Sequence, residues 1–198
     1  MRLAGSLLPG SKKTNKMSRI AKSILHSLGW KIDSTLPDHI KKAVVLIAPH
    51  TSYWDFFYGR MAFAAYKIKG KYMIKKEAFV FPFGLILKAL GGIPVDRSNS
   101  RNALKSVKEA FETRDEVFLV VAPEGTRKRV EKWKKGFYFI AKAANVPIIL
   151  GYIDYSKKYG GFGPVIHPSG DLDSDLKTIE DFYRGKGAKY PEKFNLTE

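Results

Sequence analysis

The chain has 198 residues, of which 44% are apolar and 13% aromatic, enough to bury one core and too many for a disordered chain. Against 19 Asp and Glu stand 35 Lys and Arg, and the net charge of +16 directs the molecule toward anions: nucleic acid, an acidic membrane surface or phosphorylated substrates. With no cysteine, disulfides, thiolate metal sites and a cysteine nucleophile are excluded, and no apolar run reaches the ~18–20 residues that span a bilayer.

Residues 1–16 lack the apolar core and cleavage site of a secretory signal and read as a disordered or expression-derived leader. Within residues 17–42, Ile20, Ile24, Leu25, Leu28 and Trp30 fall near helical spacing, with Arg19, Lys22 and Lys31 among them. This predicts a short basic amphipathic helix and a linker. The helix either packs on its own domain or lies on an anionic bilayer with Trp30 at the headgroups. Residues 43–198 then form one domain. Ala43–Ala48 is a fully buried strand, Pro49–Ser52 a turn, and a helix follows to about Ala65. Tyr72–Ile74 predicts a short strand. Ala78–Leu90 is apolar but interrupted by Pro82 and Gly84, giving one broken helix or two short ones, and Ile93–Val95, with Pro94 inside it, suits an edge strand. Ser98–Thr113 sets Leu104, Val107, Ala110 and Phe111 on one helical face. Val117–Ala122 is a second buried strand, Pro123–Gly125 a turn, Gly136–Ala144 a helix with Asn145 at a left-handed cap, and Val146–Leu150 a third buried strand. A strand at Pro164–Ile166 and an acidic helix near Asp173–Tyr183 complete the chain. Apolar strands separated by helices predict a three-layer α/β domain: a central, mostly parallel or mixed sheet flanked by helices.

His50 ends the first buried strand, where open α/β sheets bind their ligands. If Ser52 caps the next helix, Asp55 takes its third position and the turn can fold His50 back onto the carboxylate. A histidine so held has a fixed tautomer and a stabilised imidazolium, the requirements of a general base. Ser52-x-x-Asp55 is equally a capping box, which asks for no chemistry. The chain contains no Gly-x-Ser-x-Gly, P-loop, Gly-x-Gly-x-x-Gly or His-Glu-x-x-His, so neither a metal nor a nucleotide cofactor is expected. A base at His50 would instead take a proton from a substrate hydroxyl or amine, giving direct transfer. Pro123-Glu124-Gly125-Thr126-Arg127 follows the second buried strand and shares the His50 end if the strands are parallel. Thr126, Arg127 and the backbone amides can grip a phosphate while Glu124 bonds a hydroxyl, or the turn is an ordinary surface connection. Arg97 poses the same choice between an anion clamp and a structural ion pair, and Lys128, Arg129, Lys132, Lys134 and Lys135 extend the positive run.

In order and together, His50-Thr-Ser-Tyr-Trp-Asp55, Gly92-Ile-Pro-Val-Asp-Arg97, Pro123-Glu-Gly-Thr-Arg127 and Val146-Pro-Ile-Ile149 resemble four blocks of the glycerophospholipid acyltransferase family, most closely its lysophosphatidate (1-acylglycerol-3-phosphate) acyltransferase branch. The resemblance covers roughly residues 43–153. It implies transfer of a fatty acyl group from an acyl-CoA or acyl-carrier-protein thioester to a hydroxyl of a lysophospholipid or glycerol phosphate, with no cofactor beyond that co-substrate. On this resemblance His50 is the general base and Asp55 its orienter. Arg97, Glu124, Gly125, Thr126 and Arg127 hold the phosphate-bearing acceptor, and Pro147 shapes the acyl pocket. Pro49, Ala122 and Lys128 depart from the residues common in the family, changes that bear on the acceptor and leave the catalytic pair intact. The charge suits anionic donors, phosphate-bearing acceptors and an anionic membrane, so a cytoplasmic protein peripheral (monotopic) on the bilayer is expected. Phe79–Leu87 would line an acyl groove, dip into lipid or simply join the core. The rivals are a relative acting on an amino-lipid or glycolipid, and a non-enzymatic basic module binding lipid or nucleic acid. No zinc finger, RNA-binding aromatic motif or helix-turn-helix pattern supports the last, and no nucleic-acid partner is expected.

Overall fold

A computed structural model of the chain describes residues 10–33, 36–37, 39–95 and 100–197. Its strands, β1 (Lys31–Asp33), β2 (Lys42–Ala48), β3 (Gly70–Lys75), β4 (Gly92–Val95), β5 (Val117–Val121), β6 (Ile148–Asp154) and β7 (Tyr159–Ile166), form one sheet in the order β1-β7-β6-β2-β5-β3-β4. All neighbours are parallel except β6 and β7, so the sheet is mixed, and β4 with its proline lies at one edge as expected. The helices are α1 (Gly10–Ser27), α2 (Tyr53–Ala65), α3 (Phe83–Ala89), α4 (Ser100–Glu112), α5 (Gly136–Ala144) and α6 (Leu172–Tyr183).

The two-residue period of β2 explains the three layers. Val44, Leu46 and Ala48 enter a core with Val107 and Phe111 of α4, Phe137 and Ile140 of α5, and Ile179 and Tyr183 of α6. Ala43, Val45 and Ile47 point the other way, toward Phe63 of α2. A strand covered on both faces has no polar side to show, hence its unbroken apolar sequence. This is the α/β architecture predicted above. Among the described residues no helix is long and apolar enough to cross a membrane.

Three elements differ from expectation. Helix α1 begins at Gly10, inside the stretch read as a leader, and it ends before Trp30. Trp30 is buried rather than offered to headgroups, its ring centroid 4.4 Å from that of Tyr58 and 5.2 Å from that of Tyr155. With Ala21 and Leu25 it packs on Ala65 and Ile153, and the Ser18 hydroxyl donates to the Ala65 carbonyl at 2.5 Å, so this face of α1 belongs to the domain. Strand β1 falls inside the expected linker. Strand β7 begins at Tyr159, well before Pro164, through a glycine-rich run that reads as loop. The glycines serve close approach: a side chain at Gly161 would overlap the Asp33 carbonyl of β1.

Candidate active site

Parallel pairing sets three turns side by side. Strand β2 lies between β5 and β6, with Leu46 opposite both Val121 and Leu150, so their carboxyl-terminal ends emerge together. From β2 comes the turn with His50, from β5 the turn with Glu124 to Arg127, and from β6 Tyr155.

Asp55 is the centre of this arrangement. Ser52 caps α2 with its hydroxyl accepting from the Trp54 N–H at 3.1 Å, and the Ser52 N–H donates to Asp55 Oδ2 at 2.8 Å, completing the capping box. The same oxygen accepts from the Thr51 N–H at 2.8 Å and lies 3.1 Å from His50 Nδ1. Oδ1 accepts from the Tyr155 hydroxyl at 2.6 Å. Capping and pairing with His50 are therefore one carboxylate's two functions. Burial raises the Asp55 pKa, but the bonds from His50, Tyr155 and the Ser52 amide outweigh it and hold the group below the usual carboxylate range. An ionised carboxylate only accepts, so Nδ1 carries the proton and Nε2 presents a lone pair. Tyr155 is held in the opposite sense: burial and the neighbouring Asp55 charge push its phenol up, so it remains a donor.

Glu124 lies behind His50. It is buried, and its Oε1 accepts from the His50 N–H at 2.9 Å, while Oε2 has no partner among the described residues. Burial raises its pKa from 4.5 to about 7. The expected role of Glu124 as a hand on the acceptor is not what the geometry offers: it does not line the cavity described next, and its side chain braces the His50 turn.

In front of His50 opens a cavity of about 750 Å³, inside the roughly 300–1,000 Å³ range of ligand sites. Its apolar lining includes Phe63, Val95, Leu104, Val120, Phe137 and Ile140, and its polar lining includes His50, Asp55, Arg60, Thr126, Arg127 and Lys134. Gly125 has φ +65° and a side chain there would meet Lys134 at 2.9 Å, so the turn needs glycine to bring Thr126 and Arg127 to the cavity. The Arg127 guanidinium stacks 3.7 Å from the centroid of the Tyr53 ring on the first turn of α2.

The sequence-predicted residues thus divide. His50, Asp55, Gly125, Thr126 and Arg127 line one cavity, Glu124 sits behind it, and Arg97 lies outside the described residues. Pro147 is at the opposite end of the sheet, where its carbonyl accepts from the Val44 N–H at 2.9 Å before β6 begins, so it does not shape the cavity. Tyr155 and Arg60 are additions that the sequence reading missed, and Lys134, named there only as part of the positive run, lines the cavity with Arg60. Tyr155 carries no local signal, standing 100 positions from the carboxylate that it bonds.

A His–Asp pair at the strand ends of an α/β sheet lines a largely apolar cavity together with Arg60, Arg127 and Lys134, an arrangement suited to an apolar ligand bearing an anionic group. The chain belongs to the acyltransferase family, whose profile matches residues 31–152. No curated protein matches the chain. Among solved structures, the 1-acyl-sn-glycerophosphate (LPA) acyltransferase PlsC from Thermotoga maritima is similar in fold, with a TM-score of 0.59, 18% identity, and coverage of 92% of this chain and 86% of that one.

Proposed function

We propose that the protein transfers a fatty acyl group from a thioester, carried by CoA or an acyl carrier protein, to a hydroxyl of a glycerol phosphate or lysophospholipid. The observation that carries this reading is the His50–Asp55 pair lining the 750 Å³, largely apolar cavity. The family and the PlsC-like fold support it.

His50, oriented through Nδ1 by Asp55, takes the acceptor's hydroxyl proton on Nε2. The acceptor oxygen attacks the thioester carbonyl, the carbon–sulfur bond breaks, and the proton passes to the departing sulfur, leaving an ester and a free thiol. Asp55 offsets the transient imidazolium charge, and Tyr155 and Glu124 act as positioning residues through Asp55 and the His50 amide. Arg127, Thr126 and Lys134, joined by Arg97, are the groups for an acceptor phosphate. The acyl chain lies along the apolar wall between Phe63 and Ile140. Nothing in this sequence of steps requires a metal or cofactor.

The test is product analysis. Purified protein given acyl-CoA or acyl carrier protein, with lysophosphatidate, glycerol phosphate, an amino-lipid or a glycolipid, should form product fastest with a phosphate-bearing acceptor. Preference for the amino-lipid or glycolipid would overturn the acceptor assignment, and no acyl product from any pair would overturn the reaction.

A further inference from the structure

We propose that α3 and the residues leading into it, 79–90, insert into the interface of an anionic membrane beside the cavity. Between Val80 and Leu90 only Gly84 and Leu87 are not exposed. Phe81 is 86% exposed, Phe83 63% and Leu85 62%, and Val80, Ile86 and Leu90 join them at the surface. A helix apolar on all sides ordinarily lies in a core or in lipid, and so large an apolar patch on a soluble face marks an interaction surface. On its inner side Gly84 packs directly on the Phe79 carbonyl, and the Phe79 ring lies against Gly92.

Charge selects the partner. From Lys67 to Leu90 there are six lysines and one acid, Glu77. A second copy of this chain would bring the same six lysines against them, whereas an anionic bilayer supplies opposite charge and a place for the phenylalanines. Helix α1 is divided instead: Ala21 and Leu25 are covered by the domain, while Met17, Ile20 and Ile24 are exposed. The position of α3 completes the argument. Arg60 lines the cavity, lies over the Tyr72 ring that also lines it, and donates from Nη1 to the Leu90 carbonyl at 3.3 Å. The inserted segment therefore abuts the cavity wall, so an acyl chain can pass between bilayer and cavity with little exposure to water. That delivery role rests on the acyl-transfer reading, but insertion itself does not, and it is measured without turnover.

The experiment uses vesicles of phosphatidylcholine doped with phosphatidylglycerol. Phe81→Ser with Leu85→Ser should leave the melting curve unchanged and weaken sedimentation with these vesicles by roughly 10–100-fold. Binding of the parent should fall as salt rises. Because the chain has no cysteine, Leu85→Cys takes a single environment-sensitive fluorophore. Its emission should shift to the blue on vesicles and be quenched by nitroxide-labelled lipid, while a label at Lys177→Cys, exposed on α6, should not respond. An unresponsive label at position 85, or a double variant that binds vesicles as well as the parent, would overturn the proposal. So would a parent that dimerises without vesicles and becomes monomeric in the double variant, which would assign the patch to a second copy.

Discussion

The His50 turn and the α3 segment flank the same cavity and are built in opposite ways. At the turn, the buried polar groups are matched around Asp55, which collects bonds from Thr51, Ser52, His50 and Tyr155. Glu124 takes the His50 amide through Oε1, while its Oε2 has no partner among the described residues. Along α3, apolar groups are exposed and unmatched. A group that moves a proton must be held in one orientation, and buried, mutually satisfied hydrogen bonds do that. A surface completed by a partner is left without internal cover. Local order at the turn and local exposure along α3 are the observations behind the proposed base and the proposed membrane contact.

The contrast can be broken most severely at His50. Its side chain is 22% exposed and supports little of the core, so His50→Ala should keep the parent's melting curve and lose roughly 10²–10⁴ in turnover. Near-normal acyl transfer in that variant would end the general-base assignment. Next comes Arg127→Lys. Lysine cannot reproduce the planar fork, so the preference for a phosphate-bearing acceptor over a matched phosphate-free one should fall about 10–150-fold. Equal losses with both acceptors would make Arg127 structural.

Tyr155→Phe is subtler, with an expected loss of roughly 10-fold in turnover, the scale of one hydrogen bond to a charged group. Without the phenol, Asp55 is easier to protonate, so the acid limb of the pH–rate profile should move to higher pH. A slower enzyme with an unmoved profile would show that Tyr155 serves packing alone. The smallest catalytic effect is expected from Glu124→Gln, whose Oε1 can still accept from the His50 N–H. Its signature is in stability. Because folding raises the Glu124 pKa from 4.5 to about 7, the group favours the folded state below pH 4.5 and that contribution is lost as pH rises through 7, about 3 kcal/mol in all. Glu124→Gln should flatten the decline in melting temperature across this range, and an undiminished decline would assign it to other groups.

Much of this was legible in the sequence. A buried strand, a turn and a capped helix placed His50 and Asp55 correctly because all three signals are local, lying within a few residues of one another. The strand-end location of Thr126 and Arg127 followed once the strands proved parallel. What escaped was long-range or depended on facing direction. Tyr155 meets Asp55 only because β6 pairs with β2, Glu124 turned behind the histidine instead of toward the cavity, and Pro147 opened its strand at the far end. Strand β7 was obscured by glycines that accommodate close neighbours, a requirement invisible without them. Composition revealed that Phe79–Leu87 was apolar, but only the fold distinguished core from surface.

The central claim is that the acyl group passes directly from thioester to acceptor hydroxyl, with His50 as base and no acyl-enzyme between. Rapid mixing of the protein with an acyl thioester, with and without the phosphate-bearing acceptor, reads this through the released thiol. The account predicts thiol release in step with lipid product when acceptor is present, and only background hydrolysis when it is absent. A burst of thiol without acceptor, matched by acyl group bound to the protein, would contradict it.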